Sequence, residues 1–98
     1  VIAFAPGALL DLEEIFEFNL ARDPKAALAH IPGIRSAVEI LEQHPEIGRP
    51  IDLRSGLREL VISRGKTGYV ALYAFDPVSG LIRVLAIRHQ SAAGHRGA

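Results

Sequence analysis

The chain has 98 residues, 49% of them hydrophobic, which gives room for one well-filled core and is too apolar for a disordered segment. Its 11 basic and 11 acidic side chains cancel, so net charge names no partner. With no cysteine, disulfides, thiolate catalysis and cysteine-bound metals are excluded, in keeping with a reducing cytoplasm.

Val1 to Ala5 is short, apolar and stopped by Pro6-Gly7, and reads as a strand. The period then changes. Leu9, Leu12, Ile15, Phe16 and Leu20 recur at helical spacing with Asp11, Glu13, Glu14 and Glu17 mostly opposite, which predicts a helix from about Ala8 to Ala21. Those glutamates form a solvated face rather than a metal or acid–base site. Asp23-Pro24 restarts the chain as an N-cap and first turn, and Ala27, Ile31, Ile34, Val38 and Leu41 continue an apolar stripe that Pro45 ends. Pro32-Gly33 interrupts the stripe and predicts a kink or short break in the second arm of a helical hairpin. His30 and His44 fall on that arm or at its end, as surface or capping residues. Arg49, between Gly48 and Pro50, anchors the connection that follows.

The remainder reads as a three-stranded antiparallel meander. Leu57 to Ser63 leads through a turn at Arg64 to Gly68 into Tyr69 to Phe75, and Asp76 to Gly80 connects to Leu81 to Ile87. Gly65-Lys66-Thr67 resembles the end of a phosphate loop, but the preceding glycine is missing and the context is a hairpin turn. The tail from Gln90 to Ala98 is small and polar, and is expected to be loosely held. The fold class is therefore α+β, a strand and helical hairpin packed on a small, mainly antiparallel sheet in the order β-α-α-β-β-β, in one domain spanning 1–98.

No apolar run approaches membrane-spanning length, and no basic-then-apolar leader opens the chain. A start at Val1, with no methionine anywhere, implies a lost initiator or a few lost leading residues. Charge is unevenly spread. Val1 to Asp52 holds four Lys/Arg against nine Asp/Glu, and Leu53 to Ala98 holds seven against two, together with His89 and His95. That basic half suits a polyanion or an acidic protein. Tyr69 to Phe75 has no polar face and Leu81 to Ile87 has only Arg83, so the sheet wants cover on both sides. A partner chain, a second copy or the chain's own tail and loops would supply it.

His44-Pro45-Glu46-Ile47-Gly48-Arg49-Pro50, Gly56-Leu57-Arg58-Glu59-Leu60, Tyr69 to Phe75 and Leu85-Ala86-Ile87-Arg88-His89 follow one another in a way that resembles the RelE/ParE family of toxins from type II toxin–antitoxin, or plasmid-stabilisation, modules. The resemblance covers nearly the whole chain. It implies a bacterial cytoplasmic protein bound and suppressed by a cognate antitoxin in a hetero-oligomer, with no cofactor and no membrane. An antitoxin laid on the sheet would use Tyr69, Leu72, Tyr73 and Phe75.

Two activities divide the family. RelE-like members cleave mRNA on the translating ribosome without a metal, using lysines and arginines on the meander and an arginine and tyrosine near the C-terminus. ParE-like members act on DNA gyrase. Here the first meander strand has Arg58 and Glu59 but no lysine pair, Val70 stands where the ribonucleases tend to have arginine, and the final aromatic is absent. These departures favour the ParE-like reading, with Arg58, Arg64, Arg88, His95 and Arg96 facing target or phosphate. A ribonuclease would need His89 and His95 as base and acid, with Arg58, Arg64 and Arg88 on phosphate. His89 as a structural strand-end residue, and Arg58 and Arg88 as solvated charges or partners of Glu59 and Asp76, are the plainer alternatives. An inactive member that only binds antitoxin is the third possibility.

Overall fold

The computed structural model describes residues 1–52, 54–62 and 68–89, and for Ala26, Ala29 and His30 the backbone alone. In chain order the elements are β1 (Ile2–Phe4), α1 (Pro6–Arg22), α2 (Pro24–Val38), a 3-10 turn (Glu39–Glu42), β2 (Arg49–Pro50), β3 (Leu57–Ile62), β4 (Tyr69–Phe75) and β5 (Ile82–His89). The strands form one sheet of order β1-β5-β4-β3-β2, with β1 parallel to β5 and the other pairs antiparallel. The α+β order expected from the sequence is present, with the two-residue edge strand β2 added to it.

Helix α1 begins two residues before the expected start. Pro6, read as a strand stop, is the first helical residue after an extended Ala5. A proline fits there because the first helical N–H has no intrahelical partner and the ring pre-sets φ. Helix α2 runs on through Pro32 rather than breaking. The ring still removes the bond that residue 32 would give to the Leu28 carbonyl. The stripe that crosses it continues, since Ala27, Ile34, Val38 and Leu41 are all buried.

Alternation along β4 divides the sheet into two faces. Tyr69, Ala71 and Tyr73 are buried against Ala8 and Leu12 of α1 and Ile34 and Val38 of α2. Val38, Leu41 and Val84 are each at most 1% exposed. Burial of each such side chain stabilises the fold by about 1.5–3 kcal/mol relative to leaving it in water. Val70, Leu72 and Ala74 point to the opposite face, and the helix-side core includes none of them.

Two aspartates close the turns. Asp76 accepts from the Ser79 hydroxyl at 2.9 Å and the Val78 N–H at 3.0 Å, and these bonds hold its carboxyl below the usual aspartate range. Gly80 completes that hairpin at φ +78°, a conformation that disfavours other residues. Asp52 accepts from the Ser55 N–H at 2.6 Å and the Arg54 N–H at 2.9 Å, and is likewise lowered. Both titrate lower in the fold than in the unfolded chain. Each therefore favours the fold above the ordinary aspartate pKa of about 3.9, and that contribution is lost as pH falls through the depressed folded value. Unfolding followed by circular dichroism should show the turn contribution intact at neutral pH and declining below about pH 4. In Asp76→Asn the Asp76 share of that acid-side decline should be gone.

Candidate functional site

The C-terminal strand decides where the candidate residues face. Tyr73 pairs with Val84 but Leu72 with Ala86, so Leu85 is an extra residue, a β-bulge in β5. The bulge reverses the alternation. Before it, Ile82 and Val84 face the helices; after it, Ile87 and His89 do. Arg88 thereby lands on the open face opposite Val70, and His89 on the helix side opposite Tyr69, its ring edge-to-face with the tyrosine at 5.5 Å between centroids. Asn19 of α1 donates to the Tyr69 hydroxyl at 3.3 Å and to the Ile15 carbonyl at 2.8 Å, tying this corner to the helix.

Past the bulge, β5 extends beyond the end of β1, which pairs only with Ile82, Arg83 and Val84. The Ile87 N–H on that edge donates instead to the Asp11 carboxylate of α1, at 2.9 Å. Asp11, placed by the sequence only among the acids mostly opposite the apolar stripe of α1, thus fixes the strand that carries Arg88 and His89. Asp11→Ala is expected to destabilise the fold by about 1 kcal/mol by leaving that donor unmatched, and Asp11→Asn, which keeps an acceptor, by less. Urea unfolding of the two variants checks the order.

Arg58 lies on the helix side of β3, opposite Tyr73. Its Nη1 donates to the carbonyls of Glu46 at 3.0 Å and Gly48 at 2.7 Å, and its Nη2 lies 4.0 Å from the Glu46 carboxylate. Two of the expected partners are corrected here. Glu59 points to the other face and is bound by Arg49 at 2.9 Å, and the Asp76 carboxylate is engaged by its own turn. The Arg49–Glu59 pair is largely exposed on the arginine side, where such bridges contribute under about 1 kcal/mol. It is consistent with the anchoring role expected of Arg49.

The expected cationic and imidazole groups do not converge. Arg58 and His89 face Tyr73 and Tyr69 on β4, four residues apart, so they lie about 13 Å apart along the strands and about 10 Å across them. Arg88 points away from both. Arg64, His95, Arg96, the Gly65-Lys66-Thr67 turn and the tail from Gln90 lie outside the described residues, as does the His30 side chain. Among the described residues no cluster of three or more His, Asp or Glu could hold a metal ion.

The four aromatic and aliphatic residues expected to meet an antitoxin are likewise divided between faces. Tyr73 is fully buried and Tyr69 is 7% exposed, both under the helices, with Phe75 half-buried on the same side; Leu72 alone belongs to the open face. That open face also carries Arg83, opposite Ala74 and exposed, which the sequence reading left without a role.

A sequence profile of the ParE toxin of the type II toxin–antitoxin system, parDE, matches residues 2–94. The chain is 35% identical over 88 residues to Toxin RelE3 of Caulobacter vibrioides, covering 90% of this chain and 91% of that protein. Among solved structures it resembles a chain of the chromosomal ParDE toxin–antitoxin system from P. aeruginosa, with a TM-score of 0.75 and 24% identity over 90% of this chain and 92% of that one. It also resembles a chain of the toxin–antitoxin complex RelBE2 from Mycobacterium tuberculosis, with a TM-score of 0.62 and 22% identity over 92% of this chain and 96% of that one. At those identities the two structures speak to the fold. The profile's span and the identity to a relative of matching length assign the chain to the RelE/ParE family of toxins from type II toxin–antitoxin systems.

Proposed function

We propose that the chain is a ParE-like toxin that arrests bacterial growth by acting on DNA gyrase in the cytoplasm, without cutting RNA, and that a cognate antitoxin neutralises it in a hetero-oligomer. The observation that carries the choice of target is the scatter of Arg58, Arg88 and His89. Metal-free RNA cleavage needs a base at the 2′-hydroxyl, cations on the phosphorane and an acid at the leaving oxygen, all around one phosphate. Here the Arg58 guanidinium is committed to two loop carbonyls, Arg88 faces the other side of the sheet, and His89 packs on Tyr69. Binding a protein target needs no such convergence, and Arg88 on the open face remains available to it, with Arg64, His95 and Arg96 as further candidates. The antitoxin is supported by the two structural neighbours, both described as toxin–antitoxin systems.

The RelE name of the Caulobacter relative favours one competing reading, a ribosome-dependent mRNA endonuclease in which His89 acts with Arg58 and Arg88. Mapping mRNA 5′ ends in the first minutes after induction without antitoxin separates the two. Growth arrest with intact mRNA, unchanged in a folded His89→Ala variant, is expected. New ends at ribosomal A sites that vanish in His89→Ala would replace the gyrase reading with the nuclease. Unimpaired growth with folded protein would leave a member that only binds antitoxin.

A further inference from the structure

Helix α2 is held unevenly along its length. Its trailing half is anchored in the core. Ile34 and Val38 are at most 2% exposed, and the Arg35 guanidinium lies over the Phe4 ring of β1 at 5.6 Å. In the leading half, residues 24–31, Ala27 is the buried member among the described side chains, and it stands outside the cluster that Ile34 and Val38 join. Ile31 is partly buried and Leu28 is 69% exposed. Between this half and α1 lies a shallow apolar groove of about 400 Å³, with Leu12 and Phe16 on one side and Ala27, Leu28 and Ile31 on the other. A groove in that place forfeits close contacts that interlocked helices would make.

Both ends of the leading half are built to turn. Pro32 leaves the Leu28 carbonyl without its intrahelical donor, and Gly33 beside it has the widest backbone freedom. Nothing beyond its own helix lies within 4 Å of where a Gly33 Cβ would stand, so no close packing calls for glycine there. At the other end a single residue, Asp23, joins α1 to α2 in extended backbone at φ −155°. The segment between these points is capped as a helix in its own right. Asp23 accepts from the Lys25 N–H at 3.2 Å through its carboxylate and from the Ala27 N–H at 3.0 Å through its carbonyl.

We propose that residues 24–31 form a hinged flap, which turns as a unit about Asp23 and Pro32-Gly33 and lifts from α1 while the trailing half of α2 stays in the core. Opening converts the shallow groove into a cleft that reaches Leu12 and Ala27, 7% and 0% exposed in the closed form. Access to those two side chains is then set by the flap's own equilibrium and not by global unfolding.

The chain has no cysteine, so one introduced thiol reports on its own position. The Ala27→Cys and Val38→Cys variants are labelled with a small thiol reagent under native conditions, each rate being normalised to its value in denaturant. The Ala27→Cys variant should react at least tenfold faster than Val38→Cys, whose thiol is reached through global unfolding. Pro32→Ala or Gly33→Ala, added to Ala27→Cys, stiffens the joint and should slow the reaction, by about fivefold for Gly33→Ala. Amide exchange of the unmodified chain gives a second reading. Residues 28–31 should share one level of protection, at least tenfold below that of residues 36–38. Equal labelling of the two thiols, labelling at position 27 unaffected by either change at the joint, or equal protection on both sides of Pro32 overturns the flap. A smooth decline of protection toward Asp23, with no step at Pro32, overturns it as well and leaves ordinary fraying of the helix end.

Discussion

Gly48→Ala is expected to destabilise the fold by about 3 kcal/mol, since overpacking and a broken buried hydrogen bond act together. A Cβ at this position would lie 2.6 Å from Cε1 and the hydroxyl oxygen of Tyr73 and 2.8 Å from the Glu59 carbonyl oxygen. Neither neighbour can yield cheaply. Tyr73 is fully buried, and the Glu59 carbonyl belongs to the backbone of β3. The shift needed to relieve the clash would also draw the Gly48 N–H away from the Tyr73 hydroxyl, which it meets at 2.9 Å. Thermal unfolding should show the loss as a drop in Tm of roughly 12–24 °C for a domain of this size. A drop of only a few degrees would mean that the connection before β2 is not packed against β3 and β4 as described.

Tyr73→Phe tests the same junction from the other side. The hydroxyl accepts from Gly48 and donates to the Pro45 carbonyl at 2.8 Å, so one oxygen secures both ends of the Pro45–Gly48 bend. Arg58 adds the carbonyls of Glu46 and Gly48. Removing the hydroxyl leaves a buried N–H and a partly buried carbonyl unmatched without opening an apolar cavity, which should cost about 2 kcal/mol. Denaturant unfolding should report a lower midpoint with an unchanged slope, because the surface exposed on unfolding is the same. The double variant Tyr73→Phe, Arg58→Leu should then lose less or more than the sum of the single changes, since both side chains hold one bend. Strict additivity would contradict the shared role.

This junction shows why part of the molecule could be read from the chain and part could not. The helical hairpin was legible because Ala27, Ile34, Val38 and Leu41 repeat at helical spacing and all four are buried. The meander was legible because Asp76 to Gly80 is dense in turn formers. The apolar character of both sides of Tyr69 to Phe75 was legible, and alternation divides that strand between Tyr69, Ala71 and Tyr73 under the helices and Val70, Leu72 and Ala74 on the opposite side. Facing within β5 was not legible, because a one-residue bulge in an apolar run leaves no mark on its pattern, yet it puts His89 on the helix side and Arg88 on the other rather than the reverse. The short β2 was equally hidden. Two residues, one of them Pro50, carry no strand period, and they pair with Arg58 and Glu59 only once the bend has formed.

The same geometry sets where the candidate residues lie. Arg58, Arg88 and His89 lie close to the two ends of the meander in sequence, which invites a common site. Strand direction and the bulge separate them. Arg58, a candidate for target or phosphate binding, donates to two loop carbonyls, because these partners, twelve and ten residues earlier, are brought to it by the fold. Among the described residues, Arg58, Arg88 and His89 are thus set apart by strand position and facing rather than gathered around one point.

The gyrase-directed reading is tested most directly by incubating the purified chain with gyrase, relaxed plasmid and ATP, and resolving the DNA after protein digestion. Blocked supercoiling with accumulation of gyrase-dependent cleaved DNA is expected, suppressed when the antitoxin is added first. Complete supercoiling and no cleaved DNA with folded toxin in molar excess would contradict it.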